Sequence, residues 1–149
     1  MIATAGGDTK LAKARELGAD YAIDHYRQDI SAEVKRITGK RGVDVVVEHV
    51  GVATWPKSLE SLAPGGRLVT CGATTGYSAE IDLRYLFSKQ WSLLGSFMGS
   101  MGELHQVLKF VFRKQLKPVI DRVYPLAEIR AAHERIENKE HFGKVIVRP

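Results

Sequence analysis

Val43 to Gly51 reads VDVVVEHVG, and Arg67 to Thr74 repeats the plan one unit later as RLVTCGAT. Each is a short, almost wholly apolar run that stops abruptly at polar and glycine residues. This pattern predicts a strand buried on both faces of a parallel sheet. In such sheets a ligand lies just past the carboxyl ends of the strands. Glu48, His49, Val50 and Gly51, then Cys71, Gly72, Ala73 and Thr74, are therefore the expected rim of a small-molecule site.

Upstream of this pair, Met1 to Thr4 reads as a strand end. After Ala5-Gly6-Gly7, Asp8 is expected to cap a helix with Leu11, Ala14 and Leu17 on one face, closed by Gly18. Tyr21 to Asp24 is a second strand. Ile30, Val34 and Ile37 then recur at i, i+4 and i+7 as a helix face ending at Gly39. Behind the third strand, Val43 to Glu48, a helix is expected over Thr54 to Leu62. Pro64-Gly65-Gly66 should turn into the fourth strand, Arg67 to Cys71. A looser segment with Tyr77 and Asp82 to Phe87 precedes a fifth strand, Trp91 to Phe97. Ser100 then caps a helix striped by Leu104, Val107, Leu108 and Val111. Lys117 to Tyr124 reads as a strand, Ile129, Ala132 and Ile136 as a short helix, and Lys144 to Val147 as a last strand. Strand alternating with helix across short glycine-punctuated joints implies an α/β, doubly wound parallel (Rossmann-like) sheet with a strand-helix-strand tail.

The 149 residues, 44% hydrophobic and 26% charged, suffice for one ordinary core. The net charge of +5 comes from scattered pairs such as Lys35 and Arg36 or Lys40 and Arg41. With no long basic block and no interleaved aromatic stripe, a solvated surface is expected rather than a nucleic-acid face. The single cysteine, Cys71, excludes an internal disulfide framework, and its apolar strand favours core packing over nucleophilic chemistry. No apolar run reaches transmembrane length and residues 1–20 lack the apolar block of a signal peptide, so a soluble cytoplasmic protein with no membrane partner is expected.

A dinucleotide-binding sheet normally opens with a strand, a G-x-G-x-x-G turn and a helix, whose glycines let the backbone approach the pyrophosphate. Ala5-Gly6-Gly7 lacks the third glycine and the spacing, and reads as a plain strand-to-helix joint. Yet ATAGGDTKLAKARELGAD, GVDVVVEHVG, SLAPGGRLVTCGATTG, LLGSFMGS, LKPVIDRVYPL and HFGKVIVRP follow in an order and spacing that resemble the later part of the medium-chain dehydrogenase/reductase family. The likeness is greatest to its zinc-type alcohol dehydrogenase and quinone oxidoreductase branches. It covers essentially the whole chain, and it is the set of segments, not any one of them, that is specific.

The resemblance implies that residues 1–116 are an incomplete dinucleotide-binding domain, with Met1 to Thr4 as the family's second strand. It implies that 117–149 are a tail that would pack on a catalytic domain not in this sequence. The family's first strand would then lie in the middle of the sheet, between Met1 to Thr4 and Val43 to Glu48. Either the chain is a fragment, or it is a remnant that closes its sheet differently.

The implied cofactor is NADP, with NAD possible. In NAD-specific members an acid ends the second strand and repels a 2′-phosphate. No acid stands at Thr4 and Ala5, while Gly6 leaves room and Lys10 supplies positive charge. By the same resemblance His49 and Val50 would flank the riboses. Cys71, Gly72 and Ala73 would hold the carboxamide through their backbone, Ser96 and Phe97 would make the last nicotinamide contacts, and Lys144 would reach the pyrophosphate. Function follows as the cofactor-binding portion of an oxidoreductase moving hydride between nicotinamide and an alcohol, carbonyl or activated alkene; the alternative is a non-catalytic association module.

No catalytic residue is assigned, and the chain alone is expected to show no turnover. The five histidines have no zinc spacing and one cysteine cannot build a structural zinc site, so zinc belongs to a longer parent if anywhere. Asp44 and Glu48 share a strand face but stand roughly 13 Å apart along it, too far for a direct carboxylate pair. Finally, Trp91 to Phe97 is an apolar last strand without an interior charge, an edge that invites pairing, and a homodimer through it is expected.

Overall fold

A computed structural model describes all of residues 1–149. The chain divides into two compact units, Met1–Met98 and Gly99–Pro149. The first unit runs β1 (Ile2–Ala5), α1 (Asp8–Glu16), β2 (Tyr21–Asp24), α2 (Ile30–Ile37), β3 (Val43–Glu48), α3 (Trp55–Glu60), β4 (Leu62–Thr70), α4 (Leu83–Ser88) and β5 (Ser92–Gly95). The second holds α5 (Met101–Phe112), β6 (Ile120–Pro125), a 3₁₀ turn at Leu126–Glu128, α6 (Ile129–Glu137) and β7 (Lys144–Arg148). No helix is long and apolar enough to cross a membrane.

All strand pairs are parallel, as the alternation of strand and helix requires, but they form three separate sheets. β1 pairs β2, with Ile2 opposite Tyr21 and Ala5 opposite Asp24. β4 lies between β3 and β5, with Val47 opposite Val69 and Val69 opposite Leu94. No ladder joins β1 to β3, so the sheet is interrupted where the family's first strand was expected.

The core of the first unit is Leu59, Leu62 and Leu68, against which Val46, Trp55, Ile81, Trp91 and Leu93 pack. Leu68 in this core and Ile23 on β2 are the largest fully buried side chains of the protein. β3 departs from expectation here: only one face is covered. Val46 turns toward the core, whereas Val45 and Val47 are 49% and 71% exposed because nothing in the unit lies over their side. An apolar run therefore marked a strand whose second face is left uncovered in this chain.

Local chemistry explains the remaining departures. Asp8 does not cap α1; Gly7 occupies that position without a side chain, and the Asp8 carboxylate instead accepts from Arg27 Nη1 at 3.0 Å. Leu17 falls past the last turn and is exposed, while Gly18 closes the helix with φ 99° as expected. α2 has a cap the periodicity did not reveal, Asp29 accepting from the Ala32 amide at 2.9 Å. Leu62 belongs to β4, not to the preceding helix. It pairs Val43, and Arg67 then pairs Val45, so the Pro64-Gly65-Gly66 turn is a bulge inside a longer strand. Asp82 caps α4 through the Arg84 amide, turning the expected loose segment into a helix.

In the second unit Ser100 and Glu103 form a full capping box at the start of α5. The α5 stripe is left half exposed, with Leu104 at 47% and Val107 at 48%. Tyr124 and Ala132 are buried between the parallel β6–β7 pair and α6. Asp121, whose side chain is almost wholly inaccessible, ties this unit together by accepting from Arg135 and from the Phe142 amide.

Candidate functional site

The break in the sheet is a groove. β1 uses one edge for β2 and β3 uses one edge for β4, and the space between their other edges is a cavity of about 130 Å³. Ile2 and Thr4 line it from β1, Val43, Val46, Val47 and Glu48 from β3, and Ile30 and Val34 of α2 lie beneath. Its walls are apolar apart from Thr4, Ser61 and the carboxyl end of β3. There Glu48, His49, Val50, Thr54 and Ser58 gather.

Glu48 is 3% exposed and ends β3. One carboxylate oxygen accepts from the amides of Val50 at 2.7 Å and Gly51 at 3.1 Å. The other accepts from the Thr54 and Ser58 hydroxyls. Burial pushes its pKa up, but the Ser58 hydroxyl, the two amides and Thr54 together outweigh burial and hold it below the ordinary value. Glu48 therefore stays ionised and acts as an acceptor hub.

The turn after β3 interlocks with the turn after β4. The Cys71 amide donates to the Glu48 carbonyl at 3.0 Å, and the Thr75 amide and hydroxyl both donate to the Val50 carbonyl at 2.8 Å. Gly72 is there for want of space, since a Cβ on it would stand 2.7 Å from the His49 carbonyl oxygen. Gly51 has φ +96°, and its Cβ would meet the Gly76 carbonyl oxygen at 2.9 Å. Bare backbone thus forms much of this rim. A second hollow, of about 240 Å³, opens beside it among Gly51, Trp55, Thr70, Gly72, Ala73 and Tyr77.

At the carboxyl end of β1 the Tyr26 ring lies over Gly6, so close that a Cβ there would come within 2.2 Å of it. His25 meets the same ring edge-on, with centroids 4.5 Å apart. Lys10 stands in the first turn of α1, whose N-terminus carries only Gly7 and no side-chain cap.

The fold brings His49, Val50, Cys71, Gly72 and Ala73 into one rim. Thr4 faces the groove, and Ala5, Gly6 and Lys10 sit at the end of β1. Ser96 lies beyond β5 but is tied to β4, its amide donating a hydrogen bond to the Thr70 carbonyl at 2.9 Å; Phe97 is 92% exposed. Lys144 opens β7 in the second unit and is exposed. Cys71 corrects the packing expectation: the strand ends at Thr70 and the cysteine is exposed beyond it.

Sequence reading placed Glu48 at the rim without its role as acceptor hub, and did not single out Tyr26. The spacing Glu48, Thr54, Ser58 across a strand-to-helix joint was a signal for the first. The place of Tyr26 just past the strand paired to β1 was a signal for the second. No group of three His, Cys, Asp or Glu residues is arranged to hold a metal ion.

Residues 1–113 match the zinc-binding dehydrogenase family. Over 106 residues, 70% of this chain and 25% of its own, a crotonyl-CoA carboxylase/reductase of Cereibacter sphaeroides is 37% identical. The crystal structure of an NAD-dependent alcohol dehydrogenase superposes on 99% of the chain and 43% of its own, with TM-score 0.89 and 38% identity. That of a crotonyl-CoA carboxylase/reductase in complex with NADP covers 98% and 42%, with TM-score 0.88 and 26% identity. The chain spans less than half the length of each of these relatives. With residues 1–113 matched in this way, the chain belongs to the zinc-binding dehydrogenase family, the medium-chain dehydrogenase/reductase group that its segments resemble.

Proposed function

We propose that this chain is the cofactor-binding portion of an NAD(P)-dependent oxidoreductase that moves hydride between nicotinamide and an alcohol, a carbonyl or an activated alkene. The observation that carries this reading is the pair of interlocked backbone turns at the carboxyl ends of β3 and β4, where side chains at Gly51 and Gly72 are sterically excluded. Such a surface lets a flat ring and its ribose rest on peptide groups. The bound nicotinamide supplies the hydride chemistry; the protein binds and orients it. In this reading the Cys71, Gly72 and Ala73 backbone holds the carboxamide, His49 and Val50 flank the riboses, Ser96 and Phe97 close the nicotinamide end, and Lys144 approaches the pyrophosphate.

NADP is the preferred form. Thr4 and Ala5 bring no carboxylate to the end of β1, Lys10 adds a cation in the first turn of α1, and the Tyr26 ring lies over Gly6. No residue of the chain is assigned to proton transfer, and residues 1–149 alone should not turn over aldehydes, quinones or enoyl thioesters. Zinc, if the whole protein uses it, is bound by residues outside this chain. Two copies pair through Trp91 to Phe97, in the cytoplasm, and neither nucleic acid nor membrane is a partner.

A second reading, a non-catalytic association module, is favoured by one observation: the open edges of β1 and β3 on either side of the groove. Calorimetric titration of the chain with NADPH and NADH separates the two. Saturable binding of NADPH in preference to NADH, with Lys10→Gln erasing the preference, supports the cofactor reading. Binding of neither nucleotide at millimolar concentration, alongside a defined complex with an added strand peptide, sinks it.

A further inference from the structure

We propose that Glu48 is a positioning residue whose one carboxylate fixes the backbone of both turns, 49–51 and 71–76, on which the nicotinamide end of the cofactor rests. This inference rests on the cofactor reading above. Its geometric basis is that the first turn is gripped from two directions. From inside, Glu48 Oε1 takes the Val50 amide at 2.7 Å, the Gly51 amide at 3.1 Å and the Thr54 hydroxyl at 2.9 Å, while Oε2 takes the Thr54 and Ser58 hydroxyls. The Gly51 amide shares a peptide unit with the Val50 carbonyl, so with that amide turned inward the Val50 carbonyl faces the second turn and receives the Thr75 amide at 2.8 Å, while the Glu48 carbonyl continues the β3–β4 ladder and receives the Cys71 amide at 3.0 Å. At Thr75 the second turn therefore takes its place from the first, whereas Cys71 is also held by the β4 ladders.

The same arrangement explains the absence of a local cap on α3. Thr54 occupies the cap position, yet its hydroxyl is directed to Glu48 rather than to the helix amides. A buried acid serving stability alone needs only to be satisfied. Glu48 accepts from both amides of the turn predicted to flank the riboses, and through that turn it reaches the one predicted to hold the carboxamide. Removing its oxygens leaves the Val50 and Gly51 amides without their acceptor and loosens the Val50 carbonyl that holds Thr75.

The test uses the 149-residue chain with Glu48→Ala, Glu48→Asp and Glu48→Gln, and two probes: NADPH and adenosine 2′,5′-bisphosphate, which has no nicotinamide. Glutamine keeps an acceptor for the two amides and can donate to the hydroxyls; aspartate keeps the charge but withdraws it by one methylene. Glu48→Ala is expected to weaken NADPH at least about tenfold and the bisphosphate less than about threefold, Glu48→Asp to follow it, and Glu48→Gln to stay near wild type. Should the alanine variant fail to fold, the aspartate variant carries the comparison. Amide exchange adds a readout free of ligand: Thr75 should lose protection in the alanine or aspartate variant while β1 and β2 keep theirs. Equal weakening of both probes, wild-type NADPH affinity in Glu48→Asp, or unchanged exchange at Thr75 would each overturn the proposal. If the wild-type chain binds no NADPH, the cofactor reading falls by itself, and exchange still decides whether Glu48 sets both turns.

Discussion

Gly72→Ala isolates the cost of the close approach between the two turns. Gly72 does not need a left-handed backbone; its Cβ is excluded only because the His49 carbonyl oxygen would lie 2.7 Å away and the His49 Cα 3.5 Å away. That oxygen belongs to backbone pinned on either side, by Glu48 and by Thr75, so it cannot retreat cheaply. Overpacking a site of this kind costs about 1–3 kcal/mol. With a urea slope of about 2 kcal/mol per molar for a domain of this size, a mid-range cost of about 2 kcal/mol lowers the unfolding midpoint by about 1 M. Trp55 and Trp91, the protein's two tryptophans, both pack on the Leu59, Leu62 and Leu68 core, so their fluorescence reports on the first unit. Gly95→Ala is the control, since Gly95 has neither a positive φ nor any atom within 4 Å of the new methyl. It should be neutral or gain up to about 1 kcal/mol. Gly51→Ala, combining φ +96° with a 2.9 Å clash, should cost more than either. If Gly72→Ala and Gly95→Ala unfold at the same urea concentration, the interlocked-turn reasoning is wrong.

Acid should destabilise the first unit partly through Glu48. Its folded pKa lies below the ordinary 4.5, so its contribution is full above that pH and lost as pH falls through the folded value. Glu48→Gln should flatten the acid limb of the stability curve measured by urea titration between about pH 3 and pH 6; an unaltered limb counts against this. Leu94, 46% exposed on the open strand of the three-stranded sheet, should carry the subunit contact, and Leu94→Lys should give a monomer by size exclusion with light scattering. A persisting dimer places the interface elsewhere. Leu68→Ala, at a side chain with no exposed area, should cost about 2–5 kcal/mol in the same fluorescence assay, and a loss below about 1 kcal/mol would mean the core collapses around the cavity.

The parallel strands and their helices were legible because backbone pairing leaves strong marks: β2 and β3 begin and end where apolar runs meet glycine or acid. Local capping was less legible. Asp8, Asp29 and Asp82 are the same residue type before or at a helix start, yet only the last two cap, because the Asp8 side chain is drawn to Arg27 from another element. Burial was misjudged at Val45, Val47 and Cys71, since an apolar run records what a strand is suited to face, not what this chain places over it. At the site, glycine and strand position located the rim. The hub at Glu48 depends on hydroxyls six and ten residues away that converge only once α3 turns back on β3.

The missing ladder between β1 and β3 also bears on cooperativity. A continuous sheet melts as a unit because each strand is held by neighbours on both sides. Here the β1–β2 sheet and the β3–β4–β5 sheet border a common groove, but no backbone hydrogen bond joins them. The first unit should therefore open in two steps, the β1–β2 pair before the strands around Leu68, and a strand entering the groove would merge the two transitions into one.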